Sequence, residues 1–88
     1  MRFSYTKKFS NDYARAGRRG KDPGKLDEIM ECIIHDRRLP PRCRDHELVG
    51  DFRGVRECHV APDWLLLYSR NADGVVFIAT GTHSDLFR

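Results

Sequence analysis

Trp64-Leu65-Leu66-Leu67-Tyr68 is a run of five apolar residues entered through Ala61-Pro62-Asp63 and left through Ser69-Arg70. Side chains along a strand alternate between faces, so a strand built from this run is apolar on both. Such a strand belongs at the centre of a sheet that is covered on at least one side. The run is too short to cross a bilayer, which takes about 18 apolar residues or more. On its upstream side about Phe52 to Val60 forms another strand, and the tight turn at Ala61-Pro62 joins the two. Downstream, Val75 to Thr80 makes a third, linked by Asn71-Ala-Asp-Gly74, whose glycine is free to take a positive φ.

The first half of the chain supplies the cover. Arg2 to Tyr5 alternates as a short edge strand. Thr6 is suited to cap a helix from Lys7 to about Arg18, with Phe9, Tyr13 and Ala16 on one stripe and Gly20 at its end. Asp22 and Pro23 open a second helix in which Leu26, Ile29, Met30, Ile33 and Ile34 repeat at helical spacing. Leu39-Pro40-Pro41 is expected to stop it. Pro40 to Asp51 is an irregular, basic connection. The expected class is α+β: two N-terminal helices on a small, mainly antiparallel twisted sheet in the order β-α-α-β-β-β. Eighty-eight residues make one domain, 1–88, with no repeat or linker.

No apolar segment suits a secretory signal or a membrane helix, and three cysteines without CxxC spacing point to a reducing cytoplasm. Net charge is +3. The arginines cluster at 15, 18 and 19, at 37, 38, 42 and 44, and at 53 and 56, an arrangement that suits phosphate or simply solvated surface.

Hairpin register brings distant residues to one edge. With Arg70 facing Val75, Thr80 faces Leu65, and His83 comes level with Pro62, at the end of the sheet that holds His59 and Asp63. His46 has no place in this arithmetic. Histidine titrates near neutrality, so a group of them with an aspartate suits proton transfer, though a lone surface histidine rarely does anything. A zinc site from Cys43, His46, Cys58 and His59 fails because adjacent strand residues face opposite ways. Cys58 fits a core position and Cys43 a loop. Trp64 suits the core, and Phe87, near the end, suits stacking on a base.

Three runs carry a family resemblance: Asp45-His46-Glu-Leu48, then Arg56-Glu-Cys-His59-Val-Ala-Pro-Asp63-Trp64-Leu-Leu-Leu-Tyr68, then Thr80-Gly-Thr-His83-Ser-Asp-Leu-Phe87. Together they resemble the RelE superfamily of bacterial toxins, in its YafQ branch, over nearly the whole chain. The resemblance implies a ribosome-dependent mRNA endonuclease without metal or other cofactor. It also implies a cognate antitoxin that forms a hetero-oligomer with the toxin, which is a monomer when free. The functional positions it transfers are His46, His59, Asp63 and His83 for catalysis and Phe87 for the substrate base. His83 and His46 would move protons, and Asp63 would orient or charge a His59 placed near the phosphate. One departure stands at Ala79, where the YafQ pattern has an arginine; its phosphate contact would fall to Arg53 or Arg56. A ParE-like gyrase inhibitor and a non-catalytic RNA-binding domain share the fold but have no need of three histidines at one edge.

Overall fold

The computed structural model describes residues 2–87. Its elements are β1 (Arg2–Tyr5), α1 (Lys7–Arg18), α2 (Pro23–Ile34), β2 (His46–Glu47), β3 (Arg56–Ala61), β4 (Trp64–Asn71), β5 (Gly74–Gly81) and α3 (His83–Leu86), with single 3-10 turns at Pro41–Cys43 and Gly50–Phe52. The sheet runs β1-β5-β4-β3-β2, and β4, the apolar run, is its middle strand. All neighbours are antiparallel except β1, which pairs parallel to β5.

Both helices begin as their residue types dictate. The Thr6 hydroxyl accepts from the Phe9 N–H and itself donates to the Ile78 carbonyl at 2.6 Å, so one residue caps α1 and ties it to β5. Asp22 caps α2 ahead of Pro23. That helix stops at Ile34, short of the prolines expected to end it, and Asp36 follows in the left-handed region at φ 53°. Phe9 and the Leu26–Ile34 stripe close over Cys58, Trp64, Leu66, Tyr68, Val75 and Phe77 as one core. The opposite face of the sheet carries a smaller buried floor of Leu65, Leu67 and Ala79. Cys43 is also buried in the main core, a correction to its reading as a loop thiol. Among the described residues, no helix is long and apolar enough to cross a membrane.

The β4–β5 register follows the expected pairing from Arg70–Val75 to Tyr68–Phe77 and then breaks. A bulge at Ile78 shifts everything beyond it by one residue, so Thr80 faces Leu66 and Leu65 faces Gly81. The shift turns Ala79 away from the helices and turns Thr80 towards them. There its hydroxyl accepts from the Trp64 indole at 3.0 Å and donates to the Leu65 carbonyl at 2.6 Å, while its N–H donates to the buried Asp12 at 3.2 Å. The end of β5 is thereby fixed from both sides.

Candidate active site

Past the bulge, the Thr80-Gly-Thr-His83-Ser-Asp85 run is a mounting for one side chain. A Cβ on Gly81 would lie 2.8 Å from the Asp85 carboxylate, so a larger residue would push α3 away. Thr82 caps α3, its hydroxyl accepting from the Asp85 N–H and its N–H donating to the Asp85 side chain, a reciprocal capping box. Asp85 also meets Arg19 at 2.8 Å, and these bonds hold its carboxyl well below the usual carboxylate range. His83 is the first residue of this braced turn. Sequence reasoning left α3 unassigned because four residues are too few for helical periodicity, although the Thr-x-x-Asp box was there to be found.

His83 meets Asp63 from the β3–β4 turn. One Asp63 oxygen accepts the His83 N–H at 3.2 Å and lies 3.0 Å from the ring Nδ1. A carboxylate only accepts, so Nδ1 carries the proton and Nε2 is left free to take or give one. The two hydrogen bonds from His83 hold Asp63 below its ordinary carboxylate range. The expected partner of Asp63 was His59, and the structure assigns it to His83 instead.

His59 lies beside this pair, its ring centroid 5.9 Å from that of His83. Its own carboxylate is Glu57, which the sequence did not single out. Glu57 is two positions from His59 and shares its face of β3, and it is only 7% exposed. One Glu57 oxygen lies 3.7 Å from Nε2 of His59 and 3.7 Å from Nε2 of His46. Pairing of β2 with β3 sets His46 opposite Glu57 and so gives His46 the place that sequence arithmetic could not. The Nδ1 of His46 lies 2.6 Å from the Arg44 carbonyl, so both ring nitrogens face acceptors. Arg44 holds its carbonyl there from a left-handed backbone, φ 49° and ψ 46°, a conformation that costs a residue other than glycine about 1–3 kcal/mol.

Phe87 extends the line: its ring is 6.4 Å from His83 and stands edge-on to Phe52 at 5.4 Å, with both rings partly open to solvent. Arg53 follows Phe52 and is exposed. Arg56 is elsewhere. It shares the helix-side face of β3 with Cys58, and its guanidinium is engaged by Asp45 at 3.1 Å, which also accepts from the Tyr68 hydroxyl. Arg56 is thus occupied by Asp45 on the helix side, away from the face of β3 that carries Glu57 and His59. Ala79, beside Leu67 in the buried floor, supplies no charge. Trp64 is core, as its residue type suggested. Among the described residues, no three histidine, cysteine, aspartate or glutamate side chains come together as metal ligands. Burial raises the Cys58 and Cys43 thiols above the ordinary range, which leaves them poor nucleophiles.

A small sheet braced by helices on one side, with histidines and carboxylates gathered along its edge, defines the chain as a toxin of the RelE type. More closely, residues 1–88 match the family model described as a bacterial toxin of type II toxin–antitoxin system, YafQ, and the chain belongs to that family. It is 39% identical over 84 residues to the mRNA interferase toxin YafQ of Escherichia coli K12, covering 94% of this chain and 91% of that one. The crystal structure of YafQ from E. coli BL21(DE3) superposes with a TM-score of 0.96 at 36% identity, over 99% of this chain and 98% of that one. The toxin in the E. coli DinJ–YafQ toxin–antitoxin complex superposes with a TM-score of 0.93 at 38% identity, over 99% and 97% of the two chains.

Proposed function

We propose that this toxin cuts messenger RNA on the ribosome, the 2′-hydroxyl of the message serving as nucleophile. The observation that carries the reading is the pair of histidine rings 5.9 Å apart, each with its own carboxylate. His83, oriented by Asp63, takes the 2′-hydroxyl proton at Nε2 as the bond from O2′ to phosphorus forms. His46 donates a proton to the departing 5′-oxygen as the other phosphorus–oxygen bond breaks, leaving a cyclic 2′,3′-phosphate and a 5′-hydroxyl. His59 lies between them and faces the phosphate, while Glu57 orients both of its histidine neighbours. Phe87 and Phe52 hold a base turned out of its stack. No step calls for a metal, because RNA brings the nucleophile. Acid–base catalysis of this kind contributes roughly 10²–10⁴-fold, and the ribosome supplies alignment of the strand.

Residues 1–88 act as one toxin domain in the cytoplasm, a monomer when free. A cognate antitoxin holds the toxin inactive in a hetero-oligomer, as the name of the DinJ–YafQ complex suggests by analogy. The test is to add the protein to a translating extract and map message ends. New ends within the coding region, carrying cyclic or 2′/3′-phosphate, are expected. Intact messages, above all alongside inhibited DNA supercoiling, would discard the nuclease in favour of a gyrase-directed toxin.

A further inference from the structure

The proton-transfer groups above leave the arginines beside them without a task. β2 pairs with β3 only through Glu57 and Arg56, so among the described residues no strand covers the outer edge of β3, the edge away from β4, from Cys58 to Ala61. The 3-10 turn at Pro41–Cys43 packs there, anchored by buried Cys43, and this throws Arg42 and Arg44 outward on either side of the anchor. They line a cleft of about 360 Å³ whose far wall is His59, Val60, Ala61 and Pro62. Arg44 also borders a second cleft, about 770 Å³, that reaches Arg37 and Arg38. The carboxylates of the second cleft are already engaged, Asp45 by Arg56 and Tyr68 and Asp36 by Arg70. Arg37, Arg38, Arg42 and Arg44 have no carboxylate partner among the described residues. The result is a track of free guanidinium groups that starts on the cleft wall formed by His59.

We propose that this track carries the single-stranded RNA next to the cut, with Arg42 and Arg44 gripping the phosphates that adjoin the scissile one. The inference rests on the nuclease reading for the word "cut", but the groove is tested by binding alone. Guanidinium takes two phosphate oxygens in one planar fork, and a strand entering the His59 edge presents a phosphate at every step. The track places cations beside His59 from the Pro41–Cys43 turn, where β5 contributes only the uncharged Ala79. Bases then lie towards Phe52 and Phe87, and the backbone lies towards the arginines.

The experiment measures binding of a fluorescein-labelled single-stranded RNA dodecamer by anisotropy across a salt series, with R42Q/R44Q compared to wild type and to K7Q/K25Q on the exposed helix surface. Counterion release lowers log K by about 0.7 per phosphate contact per tenfold change in salt. Loss of two contacts should flatten the slope by about 1.4, while K7Q/K25Q keeps the wild-type slope. Equal slopes for R42Q/R44Q and wild type, or no binding by wild type at about 50 mM salt, overturn the proposal. Displacement of the RNA by poly-glutamate that binds with the same dependence on Arg42 and Arg44, and more tightly than the RNA, reassigns the track to an acidic protein and also overturns it. Arginine-dependent binding by a wild type that leaves messages intact in the extract would instead keep the groove and discard the nuclease.

Discussion

Thr80→Val probes the joint on which the site's geometry turns. The substitution keeps the shape and removes one hydroxyl that sits fully buried between the Trp64 indole N–H, 3.0 Å away, and the Leu65 carbonyl, 2.6 Å away. Both partners are themselves buried, so water cannot replace the lost oxygen. Each orphaned group costs about 1–3 kcal/mol. The added methyl offsets about 0.8 kcal/mol through its own burial. The net loss is then about 1–5 kcal/mol, a large part of the 5–15 kcal/mol that holds a domain folded. With a urea m-value of about 1 kcal/mol/M for a chain this small, the midpoint should fall by about 1 M or more at unchanged slope. Trp64, the single tryptophan, reports the transition by fluorescence. A shift under about 0.3 M with the same slope would show that the hydroxyl is not the link that locks β5 beyond the bulge.

Four further outcomes follow from the site. Asp63→Asn keeps an oxygen to accept from the His83 N–H but loses the charge; because both partners are well exposed, cleavage should slow only a few-fold, and loss as deep as that of a missing histidine would make Asp63 a proton carrier itself. Glu57→Gln removes the buried charge shared by His46 and His59, and cleavage in the extract should fall by roughly 10-fold or more; unchanged kcat would reduce Glu57 to packing. Arg56→Gln breaks the Asp45–Tyr68 network on the helix side, so thermal unfolding should come earlier while the per-molecule cleavage rate at 25 °C holds; a rate that falls with stability unchanged would return Arg56 to the substrate. Asp63 and Asp85 both have lowered carboxyl values in the fold. Their stabilisation is fully present above the unfolded-state value near about 3.9 and is lost as pH falls through the folded values, so Asp85→Asn should lower urea stability at pH 7 and make little difference at the acid end; an equal deficit at both would place the effect outside the ion pairs.

The helices and β3 to β5 were legible because their signals are repetitive: the Leu26–Ile34 stripe, the Asp22-Pro23 start and the two-faced apolar run each recur or stand at a fixed offset. What escaped was set by single contacts. The bulge at Ile78 has no turn residue to announce it and serves to aim Thr80 at Trp64 and Asp12. β2 is two residues long, so only its pairing with β3 reveals His46. Glu57 looked like any charged strand position until that pairing set a histidine against it, and α2 ended early because Asp36 turned left-handed before the prolines were reached. The edge on which His59, His83 and Asp63 meet was predictable from hairpin arithmetic. Which carboxylate serves which histidine was not, because a one-residue slip and the rotamers decide it.

Cleavage by His83→Ala in a translating extract, with circular dichroism to establish that the fold is kept, bears most directly on the proposed chemistry. If the Nε2 of that ring takes the 2′-hydroxyl proton, the cutting rate drops by roughly 10²–10⁴-fold. A folded variant that cuts within twofold of the wild-type rate would remove His83 from the reaction and, with it, the mechanism proposed for this edge of the sheet.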